Sequence, residues 1–231
     1  MAHALSPSGA LRLVIFDCDG VLIDSEGPSC RLVARVAREH GIGVSDEESI
    51  ERFAGKALAQ VKRELEAETG HDLGADYVAV MQDKLVELMR DEAVPIDGAA
   101  AMLEGVAALG LPFRVGSNSS WPEMEVKFDR VGFSPLFPRH RVHSARDMMR
   151  PKPDPYVFLH AAAEENIDPS CCVVIEDSDT GVQAAHDAGM ACILLRAEGP
   201  PPAHDWTGLR RIAHLDELVP VLAGVLKEQA R

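Results

Sequence analysis

The sequence predicts an α/β protein: a doubly wound parallel sheet core with a small all-helical domain inserted after the first strand. Three observations lead there. An apolar run, Leu13-Val-Ile-Phe16, stops abruptly at Asp17-Cys-Asp-Gly20, as a buried parallel strand does at its carboxyl end. No convincing strand pattern occurs between residues 25 and 92, where apolar residues recur at helical spacing instead. After Pro95 strands and helices alternate again, in the rhythm of βαβ units.

In chain order, residues 11–17 form the first strand, and the chain leaves the sheet through Leu22, Ile23 and Asp24. Helices are expected over 31–40, stopped by Gly41, and over 48–54, 57–69 and 76–91. This block, 25–92, reads as a domain of its own, with 1–24 and 93–231 as the core and linkers near 24–27 and 93–97. The core continues with helix 99–109, strand 113–117, helix 122–131 and a weaker strand around Val142. Helix 155–165, strand 171–175, helix 181–188 and strand 191–195 follow. Residues 199–202 read as a surface loop, and 215–227 as a closing helix over the sheet edge.

The chain has 231 residues, enough for a sizeable core in one large domain or two small ones. Apolar residues make up 46% and charged residues 26%, a composition typical of soluble globular proteins. A net charge of -14 argues against nucleic acid or an anionic membrane as partner. A small anionic substrate is compatible with it where a metal ion and a lysine offset the field. The five cysteines show neither CxxC nor Cys/His ligand spacing, so no disulfide framework or zinc site is indicated. Cys18, Cys171, Cys172 and Cys192 lie in or beside apolar runs and read as core residues. Residues 1–9 lack signal-peptide character and no apolar stretch reaches about 18 residues, so a cytoplasmic protein is expected.

Four strand ends carry polar groups. The first offers Asp17 and Asp19, which alone would pass as turn residues. The strand over 113–117 ends in Gly116-Ser-Asn-Ser-Ser120, where Ser117 and Asn118 could meet a phosphoryl oxygen, although Ser120 also suits a plain helix cap. In Arg150-Pro-Lys-Pro-Asp-Pro155 the prolines restrict the backbone around Lys152. The strand Cys172-Val-Val-Ile175 ends in Glu176-Asp-Ser178. Two further acids beside Asp17 and Asp19 would raise each other's pKa unless a cation sits among them. Oxygen-only ligands in that number point to Mg2+.

These stretches, together with Glu176-Asp-Ser-x-x-Gly-Val-x-Ala-Ala-x-x-Ala-Gly-Met190, resemble the four motifs of the haloacid dehalogenase superfamily. The chain is most similar to its β-phosphoglucomutase-like and phosphoglycolate-phosphatase-like branch, which has a Rossmann-like core and a helical cap. The resemblance implies Asp17 as nucleophile and Asp19 as acid and base, the latter with a raised pKa. It implies Mg2+ held by Asp17, the Asp19 carbonyl and Asp177, with Glu176 as a direct or water-mediated partner. Ser117, the Asn118 N–H and Lys152 would take the phosphoryl oxygens. Relatives that read Lys-Pro-x-Pro-Asp would put Arg150 in the lysine's place.

Asp19 argues against dehalogenation, because the dehalogenases of the superfamily lack that residue. The mutase branch has a histidine after the first motif and an arginine on the cap where this chain has Ser29 and Leu58, which favours a phosphatase. In the cap turn Phe53-Ala-Gly-Lys-Ala57, Gly55 permits a bend and Lys56 is either a substrate contact or an ordinary solvated lysine. A sugar phosphate or phosphosugar acid, with 6-phosphogluconate as an example, is the expected substrate. A phosphomutase is the alternative, and a phospho-accepting receiver or a retired binding protein the non-enzymatic one. His140 and His143 read as surface histidines, and Trp121 as packing. The oligomeric state is not legible; a monomer is compatible with everything above.

Overall fold

The computed structural model describes residues 2–54, 56, 58–199 and 206–231. Gly55, the expected helix start at Ala57, and residues 200–202 of the expected loop lie outside the described residues.

Strand β1 (Leu13–Phe16) leads through the short β2 (Ile23–Asp24) into four helices, α1 (Glu26–Glu39), α2 (Asp46–Phe53), α3 (Leu58–Thr69) and α4 (Tyr77–Glu92). The chain returns through β3 (Val94–Pro95) and α5 (Ala99–Ala108) to β4 (Phe113–Ser117), α6 (Trp121–Val131) and β5 (Val142–Ser144). It goes on through α7 (Tyr156–Glu164), β6 (Cys172–Glu176), α8 (Asp179–Asp187), β7 (Ala191–Leu195), β8 (Leu209–Ile212) and α9 (Leu218–Gln229).

Six strands form one sheet in the order β5-β4-β1-β6-β7-β8, every pair parallel. The chain builds outward from β1 on one side through β4 and β5, then crosses to the other side with β6. The strand order therefore reverses beside β1, and a crevice opens there at the carboxyl ends, where open α/β sheets bind ligands. Alternate residues of each strand face opposite ways. Val14, Phe16, Val173 and Ile175 pack with α5, α6 and α9 on one face, whereas Leu13, Ile15, Val174 and Cys192 pack with α7 and α8 on the other. Apolar burial on both faces explains why the strand sequences read as continuous hydrophobic runs.

Helices α1 to α4 share a separate apolar cluster that includes Val33, Phe53, Val61, Leu65 and Met81. Leu88 of α4 packs against both this cluster and the sheet's. Helix α2 starts with a capping box: Ser45 Oγ accepts from Glu48 N–H at 3.1 Å, and Glu48 Oε2 accepts from Ser45 N–H at 2.8 Å.

Several boundaries differ from expectation. Helix α1 starts at Glu26, with Pro28 inside its first turn, where the missing N–H has no intrahelical partner to lose. The expected linkers contain β2 and β3, paired antiparallel with Ile23 opposite Pro95. Strand β8 was not anticipated, because Arg210 and Arg211 interrupt its apolar character and leave it readable only as an edge. Helix α9 covers a sheet face beside α5, not the edge. His143 is buried, not a surface residue, while His140 is exposed. Among the described residues no helix is long and apolar enough to cross a membrane.

Candidate active site

The crevice beside β1 gathers groups from four strand ends. Asp17 follows β1, and its N–H donates to the Ile175 carbonyl at 2.9 Å, so the two strands hold its backbone as they part. Glu176 ends β6 and is fully buried, and Asp177 comes next. Carboxylate oxygens of Asp17, Glu176 and Asp177 lie within 4.8 Å of one another. Lys152, on the loop between β5 and α7, is buried and donates to Asp17 Oδ1 at 2.8 Å and Glu176 Oε1 at 2.6 Å. Its backbone N–H donates to Asn118 Oδ1 at 2.8 Å, so the loops after β4 and β5 are tied together. Arg150 is exposed, pairs with Asp154 at 3.0 Å and lies over the Tyr156 ring. Of the two residues left open for the lysine role, Lys152 is the one beside Asp17.

Glu176 divides its oxygens. Oε1 meets Lys152, and Oε2 accepts from the N–H groups of Asp177 and Ser178, both at 3.0 Å, and from the Ser178 hydroxyl at 2.8 Å. It thereby shapes the turn that presents Asp177. Burial, together with the Glu176 charge, pushes Asp177 up to about 8. Burial likewise raises Asp17 to about 7, with Lys152 opposing and Glu176 and Asp19 adding to the rise.

Asp19 departs from the expected raised pKa. Burial would raise it, but the Lys127 ammonium, hydrogen-bonded to it at 2.6 Å, holds it below the usual carboxylate range with help from Ser119 and Ser25. Ser117 Oγ accepts from Ser119 N–H at 3.1 Å, and Ser120, although at the start of α6, makes no side-chain cap. Lys127 was not among the residues singled out. A lysine four places after a glutamate on a helix has the look of a solvated pair.

The family model described as haloacid dehalogenase-like hydrolase matches residues 14–195. The chain is 33% identical over 189 residues to 6-phosphogluconate phosphatase of Escherichia coli, covering 81% of this chain and 84% of that one. The chain belongs to the haloacid dehalogenase-like hydrolases. Two solved structures agree. A conserved haloacid dehalogenase-like protein of unknown function from Agrobacterium tumefaciens has a TM-score of 0.76 and 30% identity, covering 94% of this chain and 100% of that one. A HAD family hydrolase from Deinococcus radiodurans, solved with bound phosphate and sodium, has a TM-score of 0.74 and 29% identity, covering 94% and 97%.

This haloacid dehalogenase-like hydrolase is a phosphatase. Its acidic cluster suits a hard divalent cation. The donors are oxygens only, and two of the three carboxylates are pushed up to about 7 and about 8 although a lysine stands among them. The hydrolase leaves no room for a side chain at Gly20, where a Cβ would lie 2.0 Å from Asp177 Oδ2.

Among the helices of the insertion, a cavity of about 200 Å³ is lined by Ser29, Phe53, Lys56, Leu58 and Val61. Lys56 also pairs with Glu64 at 2.6 Å, so the lysine lines the cavity with its charge already answered. Trp121 packs against the main core beneath the Arg139 guanidinium, in keeping with a packing role.

Proposed function

We propose that the chain is a Mg2+-dependent phosphatase of a small phosphorylated metabolite, a sugar phosphate or phosphosugar acid such as 6-phosphogluconate. It works through an aspartyl-phosphate on Asp17. The observation that carries this reading is the meeting of Asp17, Glu176 and Asp177 at the carboxyl ends of β1 and β6 with Lys152 from the loop after β5, which sets a buried ammonium against the nucleophile. Asp17, the Asp19 carbonyl and Asp177, with Glu176 direct or through water, would hold Mg2+, which when bound supplies the positive charge that lets a carboxylate approach a phosphate dianion.

Asp17 attacks phosphorus in line, the bond from phosphorus to the leaving oxygen breaks, and Asp19 gives that oxygen a proton. Asp19 then takes a proton from water, whose oxygen attacks the same phosphorus and frees Asp17 and inorganic phosphate. The ionised state that Lys127 favours suits this second half. For the first, the charge of the arriving phosphate opposes that of Lys127 and favours uptake of a proton. Ser117, the Asn118 N–H and Lys152 take the phosphoryl oxygens.

Residues 25–92 act as a cap over the core formed by 1–24 and 93–231, with Lys56 on the side that meets the substrate. Ser29 and Leu58 leave the cavity without the histidine and arginine of the mutase branch, which favours hydrolysis over mutation. The named phosphogluconate phosphatase among the relatives supports a phosphosugar acid. Five free cysteines support a cytoplasmic setting.

The deciding experiment is phosphate release from a panel of sugar phosphates, phosphosugar acids and phosphoglycolate, with Mg2+ and with EDTA, alongside conversion of β-glucose 1-phosphate. Mg2+-dependent release from one group is expected, and isomerisation without release would establish the mutase instead. Asp17→Asn should lower turnover by about 10⁴-fold or more in a protein that still folds. Turnover retained in that variant would remove Asp17 as nucleophile.

A further inference from the structure

Lys127 projects from α6 with no exposed surface. Burying an ammonium is costly, and replacing a buried ion pair with apolar residues is often neutral or stabilising, so its presence is weak evidence of a role in stability. Its three hydrogens have three acceptors: Asp19 Oδ1 at 2.6 Å, Ser119 Oγ at 3.2 Å and Glu123 Oε1. Nothing is left over for substrate or water. Ser119, which accepts from Lys127, donates to Asp19 Oδ2 at 2.6 Å, and Ser25 donates to Oδ1. Counting lone pairs, Oδ1 is filled by Lys127 and Ser25 while Oδ2 keeps one open.

We propose that Lys127, with Glu123 as its counter-charge, is a positioning residue that holds the Asp19 carboxylate so that Oδ2 is the oxygen offered to the leaving group and then to water. The proposal rests on the acid and base role read for Asp19 above. Lys127 touches neither substrate nor phosphorus; it acts through one carboxylate. A merely structural pair anchoring α6 would lower stability when removed and would have no particular dependence on Asp19.

The test uses 4-nitrophenyl phosphate with Mg2+, because nitrophenolate leaves without being protonated. Removing both charges together, in Lys127→Met/Glu123→Gln, keeps the net charge of the cluster and avoids leaving Glu123 buried without its counter-charge. This variant should lose about 10²-fold in kcat, the scale of lost acid and base catalysis, with KM falling in proportion so that kcat/KM changes less than about twofold. It should release one equivalent of nitrophenolate rapidly before slow turnover, as aspartyl-phosphate accumulates. Built onto Asp19→Asn, the same pair of changes should cost less than about twofold more, since positioning has no value once its object is gone.

Lys127→Arg, which keeps the charge, should recover at least about tenfold over the neutral pair. Losses that multiply with Asp19→Asn, or a neutral pair within about threefold of wild type, would overturn the proposal. An arginine no better than the neutral pair, in a protein melting as wild type does, would do the same. Asp19→Asn turning over at the wild-type rate would instead remove the reading of Asp19 itself.

Discussion

Asp177 combines two opposing demands in one side chain. It belongs to the acidic cluster that would hold a cation, and burial and the Glu176 charge push it up to about 8. An acid whose folded pKa is raised holds its proton in the folded state after the unfolded chain has lost it, so stability falls as pH rises from about 4 toward about 8. Near pH 8 without metal, Asp177→Asn should therefore melt above wild type, and adding Mg2+ should raise the midpoint of wild type only. Thermal scans with EDTA and with Mg2+ read both effects. His143 has the opposite sign. Its Nε2 accepts from Arg114 Nη1 at 3.0 Å, and burial, then the Arg114 charge, push it down to about 3. Its contribution is full above about pH 6.5 and is lost as pH falls toward 3, at up to about 1.4 kcal/mol per pH unit. His143→Gln, which keeps an acceptor for Arg114, should flatten the acid side of a melting-temperature profile relative to wild type. Asp17, Asp19, Lys152 and Asp177 were legible because each stands in a short motif with restricted spacing. Lys127 and the burial of His143 were not, since lone charged residues carry no local mark of what folds over them.

Turn and helix geometry around the cluster depends on two glycines. Gly20 sits at φ +76° in the turn after Asp19, against Asp177, so a side chain there is strained and collides with a carboxylate. Gly181 lies in the first turns of α8, where a Cβ would come 1.8 Å from Glu176 Oε1. Gly181→Ala should displace Glu176 from Lys152 and cost about 3 kcal/mol or more, the combined scale of overpacking and a broken buried ion pair. Urea titration would show it, and phosphate release should fall with it. The long helices and buried strands of the core were readable from period and apolar runs. The two-residue strands β2 and β3 and the edge strand β8 were not, because pairing between distant segments, rather than local preference, makes them strands.

The apolar cluster on the sheet face covered by α5, α6 and α9 and the cluster of the helical insertion meet at Leu88. Both tryptophans, Trp121 and Trp206, pack on the sheet's clusters, as do the strands that carry the acidic groups. If the insertion is a domain of its own, Mg2+ should raise the unfolding midpoint seen by tryptophan fluorescence while the earliest loss of helical circular dichroism stays put. Coincident shifts would mean that the molecule unfolds as one. The position of β1 also bears on how the chain is made. Its neighbours are β4 and β6, both later in the chain, so one edge stays unpaired until β4 has emerged and the other until residues beyond 172 have done so. The apolar cluster of the insertion draws its buried residues from 30–85 and can form before β6 has emerged. Until then an apolar strand waits with at least one edge exposed, which makes Leu13–Phe16 a stretch that a chaperone would shield while the rest is still being translated.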